Sequence, residues 1–169
     1  KYEDGEYSVF SPWSEIAFIP EDFDYLPKKG YNLGMTNRVR SLEIQDFVPK
    51  NIPKDVIQVD LLYKESNSPN VYTVESFKKN DPLPDSSSLY NYWNTPATGG
   101  NFGKYIVTSE LIHATLPSNQ MLRPWDNVPR KALGQEVTAN RLIYANYLQN
   151  YSTIDTLGAP IKPIFSVNV

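Results

Sequence analysis

Alternation between apolar and polar side chains is the feature that most constrains what this 169-residue chain can fold into. Between residues 57 and 64 the alternation is nearly regular, with Ile57, Val59 and Leu61 at every second position. Successive side chains of a strand point to opposite faces, so this period predicts a strand with one face toward a core. Four further segments also favour strands, namely 42–45, 71–77, 105–112 and 137–147.

Prolines restrict the alternatives to a strand-rich fold. The chain contains 14 prolines and only eight glycines. Because proline breaks the interior of a helix, we predict a mainly β fold in which no helix exceeds about three turns. Ser14–Ile19 is a candidate short strand that Pro20 would stop, and Pro129 is a candidate start for a short helix through Gln135.

Turn signals organise the central part of the chain. The run SNSPN at 66–70 separates two predicted strands, so residues 56–77 are predicted to form a hairpin. Short strands between about 38 and 116 together suggest an immunoglobulin- or fibronectin-like β-sandwich domain. Residues 78–103 form a long polar loop within that domain, and residues 1–37 form an irregular, aromatic-rich flanking segment.

Charge and composition argue against several kinds of partner. The formal net charge is -3 and no polybasic run is present, so nucleic acid is a poor candidate. The chain has no cysteine, which rules out a disulfide framework and a thiolate metal site. No apolar run approaches the length of a membrane span, so no membrane insertion is expected. The chain begins at Lys1 and ends in the strand-like run PIFSVNV, so we expect it to be an excerpt of a longer polypeptide.

The sequence carries no recognisable catalytic, cofactor-binding or metal-binding pattern. His113 is the only histidine, and no nucleophile-elbow motif accompanies it, so we expect no enzymatic activity and no cofactor. Glu21, Asp22 and Asp24 form an acidic cluster that lacks the spacing of a calcium-binding loop, and a solvated loop is favoured there. Two carboxylates paired only in space, as in glycoside hydrolases, stay open as a minor alternative.

Three large aromatic residues in the long polar loop are the candidate interface. Tyr90, Tyr92 and Trp93 lie within four residues of one another. Such side chains anchor protein interfaces, and they also stack on sugars. The other interpretation is that they cover the core of their own domain. Because the loop is too long for a simple hairpin connection, we expect it to contact a neighbouring chain or domain.

Residues 116–151 contain a leucine–arginine step, then Asp-Asn-Val-Pro, and later Asn-Arg-Leu before Tyr-x-Asn-Tyr. This pattern resembles a recurring stretch in virion proteins of contractile-tailed cyanophages and in the stabilization proteins of crAss-like and related short-tailed bacteriophages. Residues 60–77 resemble the companion stretch of the same proteins. The positions that carry the main resemblance are Leu122, Arg123, Trp125, Asp126, Asn127, Val128, Pro129, Asn140, Arg141, Leu142, Tyr144, Asn146 and Tyr147.

The resemblance implies a structural role in a virion. The short-tailed members are similar in role to tail-nozzle proteins, which combine a propeller-like β platform with inserted sandwich domains. By that likeness, residues 38–116 are a sandwich inserted in or next to a larger platform. Residues 117–169 then supply a proline-rich corner and platform strands.

The implied function is that of a non-enzymatic component of the tail, connector or baseplate assembly, located in the phage particle. Its partners would be other virion proteins and further copies of itself. The alternative is a carbohydrate-binding module of a phage adhesin, which would bind a glycan of the host surface. A fragment of a glycoside hydrolase is less favoured.

The motif also yields a specific structural prediction. The residue before a proline is pushed toward extended geometry, so Asp-Asn-Val-Pro at 126–129 predicts a stiff corner. Alternation through 137–147 places Arg141 on the same face as Val137 and Ile143. A lone charge on a buried face is unfavourable, so we expect Arg141 to be buried and hydrogen-bonded to backbone, Asp126 or Asn127.

Overall fold

The computed structural model describes residues 1–81, 91–108, 114–121 and 128–168. This part of the chain is mainly β and forms several small antiparallel sheets, none of them closed. Its helical elements are a single 3-10 turn at Leu33–Met35 and the four-residue helix α1 at Ser118–Met121. The predictions of a mainly β fold and of no long helix are therefore confirmed for the described residues.

The strands of the described residues form two three-stranded and two two-stranded sheets. They are β1 (Tyr25–Leu26), β2 (Tyr31–Asn32), β3 (Ser41–Val48), β4 (Gln58–Lys64), β5 (Val71–Lys78), β6 (Phe102–Thr108), β7 (Ala114–Thr115), β8 (Pro129–Thr138), β9 (Arg141–Gln149) and β10 (Ile164–Asn168). The sheet orders are β10-β3-β6, β4-β5-β7, β1-β2 and β8-β9. β4 and β5 pair antiparallel, which confirms the hairpin predicted at 56–77. β10 pairs with β3 along its whole length, which joins the end of the chain to its central part.

The hydrophobic core draws on both three-stranded sheets. β3 contributes Ile44, Phe47 and Val48, β4 contributes Leu61, β5 contributes Phe77, and the segment after β5 contributes Trp93. The rings of Phe47 and Phe77 stack with centroids 5.1 Å apart. Gly103 in β6 has a φ of 90°, and a Cβ atom there would lie 2.8 Å from the Phe47 ring. Glycine is therefore required where β6 passes over this ring.

A bulge in β3 holds the end of the long loop against the domain. The register with β6 shifts between Gln45 and Val48, and Asp46 has a φ of 60°. Gln45 Oε1 accepts hydrogen bonds from the backbone N–H of Thr98 at 3.0 Å and from its hydroxyl at 2.7 Å. Asp46 Oδ1 accepts one from the Asn101 N–H at 3.1 Å. Residues 98–101 are thus fixed to the sheet, although the sequence predicts only a polar loop there.

The N-terminal segment lies between two distant parts of the chain. Lys1 O accepts a hydrogen bond from the Ile57 N–H at 2.9 Å, and the Val9 N–H donates to Tyr151 O at 2.9 Å. The candidate strand at Ser14–Ile19 is wrong, because these residues join no sheet. The side chain of Asn37 binds this stretch instead, donating to Ala17 O at 3.0 Å and accepting from the Ile19 N–H at 3.0 Å.

Residues 129–149 form a long hairpin, where the sequence predicts a short helix followed by a single strand. The short helix predicted from Pro129 to Gln135 is wrong, since these residues belong to β8. The single strand predicted at 137–147 is also wrong, because a turn at Ala139–Asn140 divides it. Both turn residues have positive φ, 48° and 60°, which is the geometry of a two-residue type I′ hairpin turn. Proline is tolerated as the first residue of a strand, so Pro129 begins β8 without loss of a ladder hydrogen bond.

Candidate functional site

The β8–β9 hairpin, which we call the ribbon, is a long and almost wholly exposed element of the described residues. Every residue of β9 is exposed, and so are eight of the ten residues of β8. Leu133 is 84% exposed and Val137 is 75% exposed. The large apolar side chains that the ribbon exposes are Leu133, Val137, Leu142, Ile143, Tyr144, Tyr147 and Leu148.

The strand register sorts these side chains onto two faces. Val137 pairs with Leu142 and Gln135 pairs with Tyr144, so these four side chains share one face of the ribbon. Glu136 pairs with Ile143 and Gly134 with Ala145 on the opposite face. Neither face is covered by the described chain, and a contiguous exposed apolar surface of this kind typically marks an interaction site.

Both long edges of the ribbon are open as well. Within the described residues, β8 and β9 pair only with each other. Unpaired edge strands expose rows of N–H and C=O groups that can accept a further strand. An isolated two-stranded ribbon is marginally stable in water, and its stability normally depends on packing against something else. The geometry of the ribbon therefore suits contact with another protein surface or strand.

The base of the ribbon is fixed to the rest of the chain by Arg130. The pairing register shifts between Pro129 and Lys131, so Arg130 is the extra residue of a β-bulge. Its side chain is only 9% exposed, and Nη1 lies 3.1 Å from Asp55 Oδ2. The guanidinium also lies 4.2 Å from the ring centroid of Tyr2 and 5.5 Å from that of Tyr151. This combination of an ion pair and cation–π contacts holds the base of the ribbon, at the start of β8, in place.

The two tyrosines around Arg130 are themselves buried and held. Their rings meet edge to face with centroids 5.3 Å apart. The Tyr151 hydroxyl donates to Asp4 Oδ2 at 2.9 Å. Burial, assisted by this bond to Asp4, raises the pKa of Tyr151 to about 12. Burial also raises the pKa of Tyr2, against the opposing effect of the Arg130 charge. Both hydroxyl groups therefore stay protonated near pH 7, and the two rings pack against the Arg130 guanidinium.

The sequence motif falls largely on this ribbon. Pro129 begins β8 and Asn140 occupies the turn, while Arg141, Tyr144, Asn146 and Tyr147 lie in β9. The motif residues Leu122, Arg123, Trp125, Asp126 and Asn127 lie outside the described residues, as does the part of the predicted corner before Val128. The structure thus brings seven of the motif positions, Leu142 included, onto one hairpin.

The prediction that Arg141 is buried is wrong. Arg141 follows the turn directly and is exposed, opposite Thr138. The predicted contacts with Asp126 and Asn127 lie outside the described residues. The error has a physical cause, because the two-residue turn pairs Val137 with Leu142 and so breaks the alternation that had grouped Val137 with Arg141.

The aromatic loop behaves differently from the expected interface. Trp93 is 8% exposed and packs in the core, and its indole Nε1–H donates to Phe77 O at 3.3 Å. The Tyr92 ring centroid lies 4.5 Å from that of Phe77. The expectation that Trp93 anchors a neighbouring chain is therefore wrong, and the interpretation that it covers its own core is confirmed. Tyr90 lies outside the described residues.

A hydrogen-bonded turn explains the inward direction of Trp93. Asn91 Oδ1 accepts hydrogen bonds from the N–H groups of Trp93, at 2.9 Å, and Asn94, at 3.1 Å. An asparagine side chain that binds the backbone two residues later is a known signal of a local turn. That signal was available in the sequence, whereas the contacts of Arg130 with Tyr2 and Asp55 join residues too distant in sequence for any local pattern to reveal.

A cleft of about 210 Å³ lies beside the N-terminal segment. Its lining includes Phe10 and Trp13, whose rings meet edge to face with centroids 6.2 Å apart. Gln58 and Asp60 also line it, and Gln58 Nε2 donates to Asp60 Oδ1 at 2.7 Å. The cleft therefore combines a half-buried and an exposed aromatic ring with an amide and a carboxylate.

The acidic cluster forms no metal site within the part of the chain that the structure describes. Among the described residues, which include Glu21, Asp22 and Asp24, no group of three or more acidic or histidine side chains could hold a metal ion. His113 lies outside those residues. No helix in the described part of the chain is long and apolar enough to cross a membrane.

Comparison with protein-family models, with curated proteins and with solved structures finds no significant match to this chain.

Proposed function

We propose that this chain is a non-enzymatic structural component of a phage virion that acts through protein–protein contacts in the tail, connector or baseplate. The observation that carries the assembly role is the ribbon, which exposes apolar side chains on both faces and whose two edges pair with no other strand of the described residues. The phage assignment rests on the resemblance of residues 116–151, whose motif positions 129 and 140–147 lie on that same ribbon.

The fixed base of the ribbon supports an assembly role. Arg130 contacts Asp55 and two buried tyrosines, so the base of the ribbon is fixed to the rest of the chain. Binding loses less conformational entropy when the contact surface is ordered in advance. An exposed apolar ribbon also carries an aggregation risk unless a partner covers it. These two properties together suit a surface that is buried when a particle assembles.

The same proposal extends to architecture. We propose that the two three-stranded sheets, which share one hydrophobic cluster, form an immunoglobulin- or fibronectin-like sandwich. The ribbon would then complete a larger, propeller-like β platform together with neighbouring chains. The partners would be other virion proteins and further copies of this chain, located in the particle.

The proposal is tested by placing a charge on the ribbon. Leu133→Asp, introduced into the phage that encodes the chain, should lower the yield of assembled particles at least tenfold. Leu157→Asp is the matched control, because Leu157 is a 79% exposed leucine away from the ribbon. Both purified variants should melt within a few degrees of the unmodified chain. Normal particle yield from Leu133→Asp, with the variant chain present in the particles, would refute the proposal.

A second candidate function is carbohydrate binding, and the cleft beside Trp13 favours it. Aromatic rings next to amide and carboxylate groups are the chemistry by which proteins hold sugars, and Phe10, Trp13, Gln58 and Asp60 supply it. The aromatic loop is a weaker basis, since Trp93 is buried. Isothermal titration with purified host surface polysaccharide tests this alternative. It predicts binding that Trp13→Ala abolishes without a change in melting temperature, and absence of heat would remove it.

A further inference from the structure

We propose that the open edge of β9 pairs antiparallel with the same edge of a second copy of this chain. Two ribbons would then form one four-stranded sheet in the order β8-β9-β9-β8. This inference rests on the proposed function and deepens it, because it names the partner of the ribbon and the contact that the partner makes.

The charges of the two edges indicate which edge is available. β8 carries Pro129, Arg130, Lys131 and Glu136, and edge strands are typically protected from association by proline and charged residues. Lys131 Nζ also lies 3.7 Å from Asp55 Oδ2, and this ion pair attaches the first residues of β8 to the segment before β4. β9 has Arg141 as its single charged residue, placed directly after the turn. The β9 edge therefore lacks the protection that the β8 edge has.

The turn determines which backbone groups of β9 point outward. In a two-residue hairpin, the residues that flank the turn exchange hydrogen bonds, and every second pair does so after that. Thr138–Arg141 and Glu136–Ile143 are then the bonded pairs of the ribbon. The N–H and C=O groups of Leu142 and Tyr144 consequently point to the open edge, where a new strand would meet them.

The sequence of β9 is compatible with pairing to itself. Asn146 has a φ of 49°, so the regularly extended part of the edge is Arg141–Ala145, with Ile143 at its centre. Antiparallel pairing about Ile143 places Leu142 opposite Tyr144 of the second copy, and both direct backbone groups to the interface. Arg141 lies opposite Ala145 of the second copy, so no like charges meet. In this register the outward backbone groups can form hydrogen bonds, and no two like charges lie opposite each other.

Pairing through this edge also extends the apolar faces. The face that carries Val137, Leu142 and Tyr144 on one ribbon would continue onto the same residues of the second copy. A sheet of three or more strands with a hydrophobic face is stable where a single hairpin is marginal. A second copy therefore supplies what the isolated ribbon lacks, and pairing edge to edge leaves both faces of the sheet available for contact with further chains.

Single-cysteine variants test the register, and the absence of native cysteine keeps the experiment free of side reactions. Ile143 would form a non-hydrogen-bonded pair with its own copy, with Cα atoms about 4.5 Å apart, within the range that a disulfide spans. Ile143→Cys should cross-link to a covalent dimer under mild oxidation. Val137→Cys is the matched control, since Val137 is exposed on β8 and should cross-link at least tenfold more slowly.

A backbone variant tests the edge itself. Tyr144→Pro removes the outward N–H while leaving the hydrogen bonds within the ribbon intact, and Tyr144→Thr removes the ring but keeps the N–H. Sedimentation velocity should show a concentration-dependent dimer for the unmodified chain and for Tyr144→Thr. The Tyr144→Pro chain should stay monomeric at concentrations tenfold higher.

The outcomes separate this inference from the proposed function. A chain that stays monomeric at all concentrations, or equal cross-linking at positions 143 and 137, overturns self-pairing. If β9 pairs instead with a strand of a different virion protein, self-pairing is also overturned, although Leu133→Asp would still reduce particle yield. If the dimer forms as described but Leu133→Asp leaves particle yield unchanged, the inference stands and the proposed function fails.

Discussion

Two aromatic segments of this chain differ in burial, one packing into the core and the other lying exposed on the surface. Residues 91–93 turn back on the domain and place Trp93 in the core, whereas residues 141–149 carry leucine, isoleucine and tyrosine into solvent. Both segments look like interface candidates from their residue types. They differ in what lies behind them, because Trp93 packs into the hydrophobic core, whereas within the described residues β9 pairs only with β8. Apolar character predicts that a residue needs a partner, and only long-range structure decides whether the partner is in the same chain.

The largest expected effect sharpens this contrast directly. Trp93→Ala should destabilise the chain by about 3–5 kcal/mol, because it empties a core position and removes the bond to Phe77 O. Leu133→Ala should change the free energy of unfolding by less than about 0.5 kcal/mol. Urea titration followed by circular dichroism measures both. Equal effects of the two substitutions would mean that the contrast between core and ribbon is wrong.

A second pair of variants compares the base of the ribbon with its tip. Arg130→Ala removes the nearer of the two ion-pair partners of Asp55, leaving only the more exposed Lys131, and it also removes the contact with the Tyr2 ring, so it should cost about 2–3 kcal/mol. Arg141→Ala, at the exposed tip, should cost less than about 0.5 kcal/mol. Thermal unfolding of the two variants side by side gives the comparison. A larger loss from Arg141→Ala than from Arg130→Ala would reverse the assignment of anchor and tip.

Two glycines extend the comparison to backbone packing. Gly103→Ala places a Cβ atom 2.8 Å from the Phe47 ring at positive φ and should cost about 2 kcal/mol. Gly134→Ala, on the ribbon, meets Ala145 Cβ at an ordinary 3.6 Å and should be nearly neutral. Chemical denaturation distinguishes them, and a neutral Gly103→Ala would show that β6 can move away from the core.

The last comparison concerns the pH dependence of stability and the tyrosine rings that contact Arg130. The pKa of Tyr151 is about 12 in the folded chain, above its ordinary value of 10.0, so folding favours the protonated ring. This contribution is complete below pH 10 and is lost as pH rises from 10 to 12, by about 1–3 kcal/mol. Tyr151→Phe cannot ionise and should show a flatter stability profile in that window. Parallel profiles for the two proteins would contradict the raised pKa.

The sequence predicts the fold best where period two continues without interruption. Alternation correctly predicts strands near β3, in the β4–β5 hairpin and along most of β6. It fails at 137–147, because a two-residue turn at Ala139–Asn140 is too short to interrupt the pattern. The helix expected after Pro129 fails for a related reason, since proline begins either a helix or a strand and only pairing with β9 decides.

The candidate site is less predictable than the fold for a physical reason. The motif at 140–147 lies on the ribbon, but the predicted burial of Arg141 depends on an alternation that the turn breaks. The residues that anchor the ribbon, Arg130, Asp55 and Tyr151, meet through tertiary structure alone. No local periodicity encodes contacts of that kind.

A cryo-EM map of the particle that contains this chain measures most directly whether the ribbon is an assembly surface. We expect density of a neighbouring chain against Val137, Leu142 and Tyr144, with a strand hydrogen-bonded along the β9 edge. The Trp93 side chain should be enclosed by its own domain in the same map. A ribbon that faces solvent on the finished particle, with neither face nor edge in contact, would show that it is not an assembly surface.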